Sequence, residues 1–240
     1  MPKKVEKVLA WHFVANGELR DGENCPPDGK KISIPDDRQI VACLCGFHGS
    51  KNIVHAINYA AHILLNSHEP ISLCRVEIWG DIEDGMDKVV GRHRKILWRI
   101  EPANDVLRVA SRKLALELIK VADKDKLIDK KIYNYLRTGK DAKAAYEAYK
   151  NHSFHDPQSV PYSPSKRVLE SVFNGYHPYL TGTYNYSGPL MSLNNIRSAY
   201  DGQLDMKVDS AAIILDVIGK HAPKIELKPQ SQPKLKKVKS

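Results

Sequence analysis

The run Ile71–Trp79, with the sequence ISLCRVEIW, constrains the fold most because its side chains change character with a period of two. Such alternation is typical of a β-strand whose two faces meet different surroundings. We therefore predict a strand with the odd-numbered side chains on one face and the even-numbered ones on the other. Further strands are predicted over residues 8–14, 39–45 and 95–100, so the first hundred residues are β-rich.

Helical spacing of apolar residues replaces this alternation after Pro102. One earlier helix is expected, capped by Ser50 or Asn52 and running to Leu65. The predicted class is therefore α+β, with a small mixed β-sheet, one packed helix and a helical C-terminal part. Later helices are predicted over 105–121, 126–136, 142–150, 168–173, 193–200 and 210–219.

The chain divides by composition into four parts. These are a β-rich α/β domain over 1–101, a helical extension over 102–151, a loop-rich helical region over 152–221 and a basic tail over 222–240. The tail should be disordered alone, because it is rich in Lys, Pro, Gln and Ser.

The net charge of +9 favours an acidic partner, either nucleic acid or an acidic protein surface. Much of this charge lies after residue 222, where six lysines face one glutamate. No segment has the roughly 18 to 20 apolar residues of a membrane span, so no membrane partner is expected.

The four cysteines all lie in the first third of the chain and do not form a disulfide framework for a protein of this length. We expect reduced thiols and a cytoplasmic setting. Cys25, Cys43 and Cys74 could converge with His48 on a zinc ion. Their irregular spacing lacks a C-x2-C pair, so buried cysteines without a metal are the favoured interpretation.

The stretch CLCGFHGS suits an anion if a helix begins near Ser50. The free N–H groups of such a helix could bind a phosphate, with Gly49 allowing close approach and His48 and Lys51 adding charge. The alternative is that Ser50 is only a helix cap and His48 only a structural histidine.

A cluster of basic residues follows in and around the strand predicted over 95–100. On a strand, Arg92 and Arg94 would share one side, and Lys95 and Arg99 the other. With Lys88 and the tail they could form a phosphate-binding surface. The alternative is a solvated sheet edge protected by charge.

Two further segments could contact partners. The stretch YHPYLTGTYNYSGP could stack on bases, form a protein contact or wrap over the helices. The end of the tail could touch nucleic acid or serve only as a solubilising extension. The residues concerned are Tyr176, His177, Tyr179, Tyr184 and Tyr186 in the first segment, and Lys234, Lys236, Lys237 and Lys239 in the second.

The stretches CLCGFHGS, HAINYA, ISLCRVEIWGDI, DKVVGRHRKILW and SRKLALELI resemble an uncharacterised family of phage and bacterial proteins. The shared pattern is C-x-x-G-[LF]-H-x-S, A-x-x-Y-A, C-R-V-E-h-x-G-x-I, D-K-h-V and R-x-h-L-W in that order. It spans roughly residues 10–151. The resemblance implies a phage or prophage protein in the cytoplasm of a bacterial host, and implies no reaction.

A second, more distant likeness is to ADP-ribosyltransferases of the poly-ADP-ribose polymerase type. Gly46-Phe47-His48, Tyr59 and the strand ending at Gly80 follow the order of the core of those enzymes. His48-Gly49-Ser50 is also similar to the triplet that holds the nicotinamide end of NAD there. The likeness implies NAD as the cofactor, with no residue matching the catalytic glutamate.

Three hypotheses follow. The leading one is a non-enzymatic phage or prophage accessory protein that binds nucleic acid or a nucleic-acid-handling partner through Arg92, Arg94, Lys95 and the tail. The sequence has no P-loop, G-x-G-x-x-G, G-x-S-x-G or H-E-x-x-H motif that would favour an enzyme. The second is an NAD-binding ADP-ribosyltransferase-like enzyme. The third is a structural protein of a phage particle that assembles with copies of itself or with other subunits.

Overall fold

An antiparallel sheet with the strand order β1-β4-β7-β2 forms the framework of the fold. The structure, a computed structural model, describes residues 6–19, 23–42, 44–64, 70–122, 128–151, 165, 167–173, 188–198 and 208–223. Its strands are β1 (Lys7–Ala15), β2 (Lys31–Ser33), β4 (Ile71–Trp79) and β7 (His93–Ile100). The strand predicted over Ile71–Trp79 is thus confirmed.

A second, smaller antiparallel sheet has the order β3-β6-β5. It contains β3 (Phe47–Gly49), β5 (Glu83–Asp84) and β6 (Val89–Gly91). The strand predicted over 39–45 is wrong, because hydrogen bonds between Val41 and Cys45 close a tight loop there. The strand in this region, β3, begins at Phe47, two residues after the end of the predicted one.

The helices follow the predicted change after Pro102. Asn52 caps α1, whose Val54 N–H donates to the Asn52 side chain, and Gly139 ends α3 in a left-handed conformation. The helix predicted over 193–200 begins earlier than expected, with Pro189 in its first turn, where a missing N–H costs nothing. The helices are α1 (Ile53–Ile63), α2 (Asn104–Ala122), α3 (Lys130–Thr138), α4 (Ala142–Lys150), α5 (167–173), α6 (Gly188–Ser198) and α7 (Ser210–His221).

The main sheet has a core on each face, because alternate side chains of its strands point in opposite directions. Trp11, Leu73 and Trp98 join the larger core with the apolar sides of the helices. Val76 and Ile78 join a smaller core with Val89 of the second sheet. The helical layer therefore covers one face of the main sheet, and the second sheet lies against the other.

The predicted α+β class is confirmed, and every strand pair among the described residues is antiparallel. Within the same residues, no helix is both long and apolar enough to cross a membrane. The boundaries predicted for four parts of the chain stay a prediction. Most of the predicted tail and the Tyr-rich segment lie outside the described residues.

Candidate functional site

Four side chains from the four strands of the main sheet form a row on one of its faces. Lys7 of β1 is paired with Trp79 of β4, Trp79 with His93 of β7, and His93 with Ser33 of β2. The Trp79 and His93 rings have centroids 5.4 Å apart, and the His93 Nδ1 atom lies 2.9 Å from Ser33 Oγ. Two aromatic rings, inclined at 42° to each other, therefore lie side by side on the sheet.

Lysines from both outer strands reach over the Trp79 ring. The Lys7 Nζ atom is 5.1 Å from the ring centroid and the Lys31 Nζ atom is 5.6 Å from it. Lys31 is also the cross-strand partner of Lys95. Lys95 lies on the same face, two residues along β7 from His93, and adds a third ammonium group. We call Lys7, Lys31, Trp79, His93 and Lys95 the basic–aromatic patch.

The acidic neighbours of the patch do not cancel the charge of its lysines. Asp36 and Asp81 act on His93, but both are paired with Arg92. Glu77 pairs with Lys7 at 2.8 Å, and two lysines remain beyond that pair. Partial burial and then the Lys31 ammonium lower the pKa of His93, so its imidazole is uncharged at neutral pH. His93 therefore contributes a flat aromatic surface, and the lysines contribute the charge.

The described helices leave this end of the sheet face accessible. Along β4, Leu73 is buried in the larger core, whereas Trp79 is partly exposed. Arg75 lies between them, with its guanidinium carbon 4.4 Å from the centroid of the Trp11 ring. Burial lowers the pKa of Arg75 to about 10, and its Nε and Nη1 atoms are buried with no hydrogen-bond partner. Arg75 thus marks the boundary between the covered and the accessible part of the face.

The opposite face of the main sheet carries a second polar group of residues, toward the second sheet. Cys74 is the cross-strand partner of His12 on one side and of Arg99 on the other. The Cys74 thiol also hydrogen-bonds the thiol of Cys25, in the loop before β2. Burial, followed by the charges of Arg94 and His48, lowers the pKa of His12 well below its usual value, so its ring is neutral.

The predicted surface of Arg92 and Arg94 is wrong, because both side chains lie in the interior, 9% and 3% exposed. The Arg92 Nε donates to Asp81 at 2.6 Å, and its Nη groups donate to the carbonyls of Ile34, Pro35 and Arg38. The Arg94 guanidinium carbon lies 5.0 Å from the centroid of the Phe47 ring. These two buried arginines contact groups inside the protein, so their guanidinium groups are not presented to an external phosphate.

The predicted grouping of Lys95 with Arg99 on one side of β7 is also wrong. A bulge in β7 pairs Ile96 with Val76 but Trp98 with Arg75, so Leu97 is an extra residue. The extra residue reverses the alternation. Lys95 consequently joins the basic–aromatic patch. Arg99 lies on the opposite face of the main sheet, toward the second sheet, and its Nε atom donates to Asp28 at 2.7 Å.

The anion site predicted around CLCGFHGS is not assembled as expected. Asn52 caps α1, whereas Ser50 is buried and exchanges backbone hydrogen bonds with Trp11. His48 and Gly49 belong to β3, so neither precedes a helix directly. A Cβ on Gly49 would lie 2.7 Å from the Ala10 Cβ, so this glycine allows close packing of the two sheets.

The remaining predicted site residues do not meet at one point. Lys51 forms an ion pair with Asp84, and the Lys88 Nζ atom lies 5.6 Å from the centroid of the Tyr59 ring. NAD binding by this region stays a prediction. Among the described residues, no group of three or more His, Cys, Asp and Glu side chains could hold a metal ion. Cys43, one of the predicted zinc ligands, lies outside the described residues.

Further predicted contacts lie outside the described residues. They are Tyr176, His177, Tyr179, Tyr184 and Tyr186, and Lys234, Lys236, Lys237 and Lys239.

Sequence reasoning assigned Lys95 to a phosphate-binding surface but gave the other four members of the patch no binding role. The usable signal was Trp79 at the end of an alternating strand, next to Glu77 and Arg75. Lys7 and Lys31 carried no local signal, because only the pairing of distant strands places them beside Trp79.

Comparisons of the chain with protein-family models, with curated proteins and with solved structures found no match.

Proposed function

We propose that the protein binds single-stranded nucleic acid on the basic–aromatic patch. The observation that carries this proposal is the pair of rings of Trp79 and His93, with Lys7 and Lys31 reaching over the tryptophan from the two outer strands. Surfaces that bind single strands combine aromatic rings, on which bases stack, with lysines that neutralise phosphates. The patch has both parts within one face of a rigid sheet.

Each part of the patch has a chemical role in this proposal. The Trp79 ring stacks on a base, displacing the lysine ammonium groups that lie over it in the free protein. Those ammonium groups then meet the phosphates on either side of the base, and Lys95 meets the next phosphate. The uncharged His93 ring extends the stacking surface by one position.

A single strand fits this geometry better than a duplex. Rings lying on a sheet can contact the face of a base only when that base is not stacked inside a helix. A duplex would meet the lysines alone. We therefore expect the patch to prefer single-stranded DNA or RNA to a duplex of the same length.

The setting of this activity is part of the proposal. A phage or prophage accessory role in the cytoplasm of a bacterial host is supported only by the motif resemblance described above. The lysines of the tail add non-specific phosphate contacts in this account. Residues 224–240 can be deleted to separate their contribution from that of the patch.

The test is a fluorescence-anisotropy titration with labelled oligo(dT), oligo(U) and a duplex of equal length, for the full chain and for the chain ending at Pro223. We expect salt-dependent binding of single strands that survives the deletion. Binding lost on deletion would assign it to the tail, and absence of binding in both would refute the proposal. A parallel thermal-shift screen with NAD and ADP-ribose, with His48→Ala as its matched variant, tests the enzymatic alternative.

A further inference from the structure

We propose that Cys25 and Cys74 form a peroxide-sensitive thiol pair that closes to a disulfide, independently of nucleic-acid binding. Both cysteines are free. Cys74 is fully buried on β4, whereas Cys25 is partly exposed in the loop before β2 and packs against the smaller core. Cys74 belongs to that same core, so the two side chains pack together, and a hydrogen-bond interaction between the thiols shifts both of their pKa values. One exposed and one buried sulfur in contact are the two parts that a redox-sensing pair requires.

The loop that carries Cys25 is held in place over the sheet. The Cys25 N–H donates to the Gly17 carbonyl at 2.6 Å, and the Gly29 N–H donates to the Ile96 carbonyl at 2.8 Å. Arg99 of β7 donates from Nε to Asp28 and from Nη2 to the Pro26 carbonyl at 2.5 Å. Because these bonds fix the loop on both sides of Cys25, the thiol stays next to Cys74 without a rearrangement of the fold.

The surroundings give the two thiols different charges. The hydrogen bond from Cys74 and the positive charges of Arg99 and Arg94 lower the pKa of Cys25 to about 6, so it is a thiolate at neutral pH. The hydrogen bond to Cys25 and burial raise the pKa of Cys74, so it keeps its proton. The exposed sulfur is therefore the nucleophile, and the buried thiol is the resolving partner.

The chemistry needs a hydroperoxide as oxidant. The Cys25 thiolate attacks the terminal peroxide oxygen, the O–O bond breaks, and the leaving alkoxide or hydroxide takes a proton from water. This step oxidises Cys25 to a sulfenic acid and reduces the peroxide to an alcohol or water. The Cys74 sulfur then attacks the Cys25 sulfur, an S–S bond forms, and the sulfenic oxygen leaves as water with the Cys74 proton.

The experiment treats the full chain, with Cys43 and Cys45 both replaced by serine, with hydrogen peroxide. We expect the intact mass to fall by two hydrogen atoms, peptide mapping to join Cys25 to Cys74, and dithiothreitol to reverse the change. In the same background, Cys74→Ser should leave a sulfenic acid on Cys25 that dimedone traps.

The wild-type chain provides the internal control, since Cys45 is a partly exposed thiol without these neighbours. Cys25 should be oxidised at least tenfold faster than Cys45. Oxidation of both at the same rate, a disulfide joining any other pair, or an unchanged mass would each overturn the proposal. These measurements are made on the wild-type chain, so they test the proposal even if a Cys74 variant fails to fold.

Discussion

Trp79 and His93 are direct partners on neighbouring strands, and their ring centroids lie 5.4 Å apart at the partly exposed end of the face that the helices otherwise cover. Lys7 continues the same row on one side, and Ser33 continues it on the other. This row gives the sheet an aromatic centre with lysines around it. The proposed binding of single strands depends on that arrangement.

The three patch lysines should set the salt dependence of binding. Replacing Lys7, Lys31 and Lys95 by glutamine removes three phosphate contacts, each worth about 0.7 in the slope of log K against log salt for a single strand. We expect the slope to fall by about 2 in a titration from low to physiological salt.

The matched control replaces three exposed lysines of α3 and α4, which are Lys130, Lys131 and Lys143. It makes the same change in net charge away from the patch. An equal fall in slope for both triple variants would show that only the overall charge matters.

Arg99 should control the reactivity of Cys25. The hydrogen bond from Cys74 and then the Arg99 guanidinium lower the pKa of the Cys25 thiol from the ordinary 9.0 to about 6. Arg99→Gln removes a stabilising positive charge, so the pKa rises, by about one unit for one nearby charge. Iodoacetamide labelling of Cys25 should therefore become half-maximal near pH 7, and slow several-fold at pH 6. An unchanged labelling profile would remove Arg99 from the account.

Arg92 should stabilise the fold and leave nucleic-acid binding unaffected. Its guanidinium donates hydrogen bonds to Asp81 and to the carbonyls of Pro35 and Arg38. Replacing Arg92 removes this charged donor from all three acceptors. Hydrogen bonds to charged groups contribute about 1.5–3 kcal/mol each, so Arg92→Met should lower the free energy of unfolding by about 2–4 kcal/mol. Urea denaturation measures this loss.

Arg38→Gln is the control for that measurement, because only the backbone carbonyl of Arg38 meets Arg92. It should change stability by less than about 0.5 kcal/mol. If Arg92→Met instead left stability intact and weakened oligonucleotide binding, Arg92 would belong to the interface predicted from the sequence.

Two glycines should respond in opposite ways to an added methyl group. At Gly49, a Cβ would lie 2.7 Å from the Ala10 Cβ and 3.1 Å from the Ile78 Cδ1, so Gly49→Ala should destabilise by about 1–3 kcal/mol. Gly219 lies in α7 with open space around it, so Gly219→Ala should stabilise by about 0.5–1 kcal/mol. Thermal unfolding of both variants checks the close approach of β3 to β1. Equal changes in the stability of the Gly49→Ala and Gly219→Ala variants would contradict the close approach of the two strands.

Much of the fold could be predicted because its signals are local. The alternation over Ile71–Trp79 assigns each side chain of β4 to the correct face, and Asn52, one of the two predicted candidates, caps α1. Each of these signals depends on a few neighbouring residues. A single sequence is therefore enough to predict them.

The site could not be predicted to the same degree because it depends on strand pairing. Lys31 and Trp79 are far apart in sequence and meet only through the sheet order β1-β4-β7-β2. The extra residue Leu97 reverses the faces of β7, so extending the alternation from Lys95 placed Arg99 on the wrong side. The buried Arg94 lies against Phe47 of the second sheet, which the sequence pattern did not reveal.

The most direct test of the central claim compares Trp79→Ala with Tyr133→Ala, which removes an exposed ring from α3. Stacking on one aromatic ring is worth about 1–3 kcal/mol per base, so Trp79→Ala should weaken oligo(dT) binding roughly 5- to 150-fold. Trp79→Phe should restore most of the affinity, and Tyr133→Ala should leave it unchanged. Equal affinities of the Trp79→Ala variant and the wild-type chain, with circular dichroism showing both folded, would contradict the account.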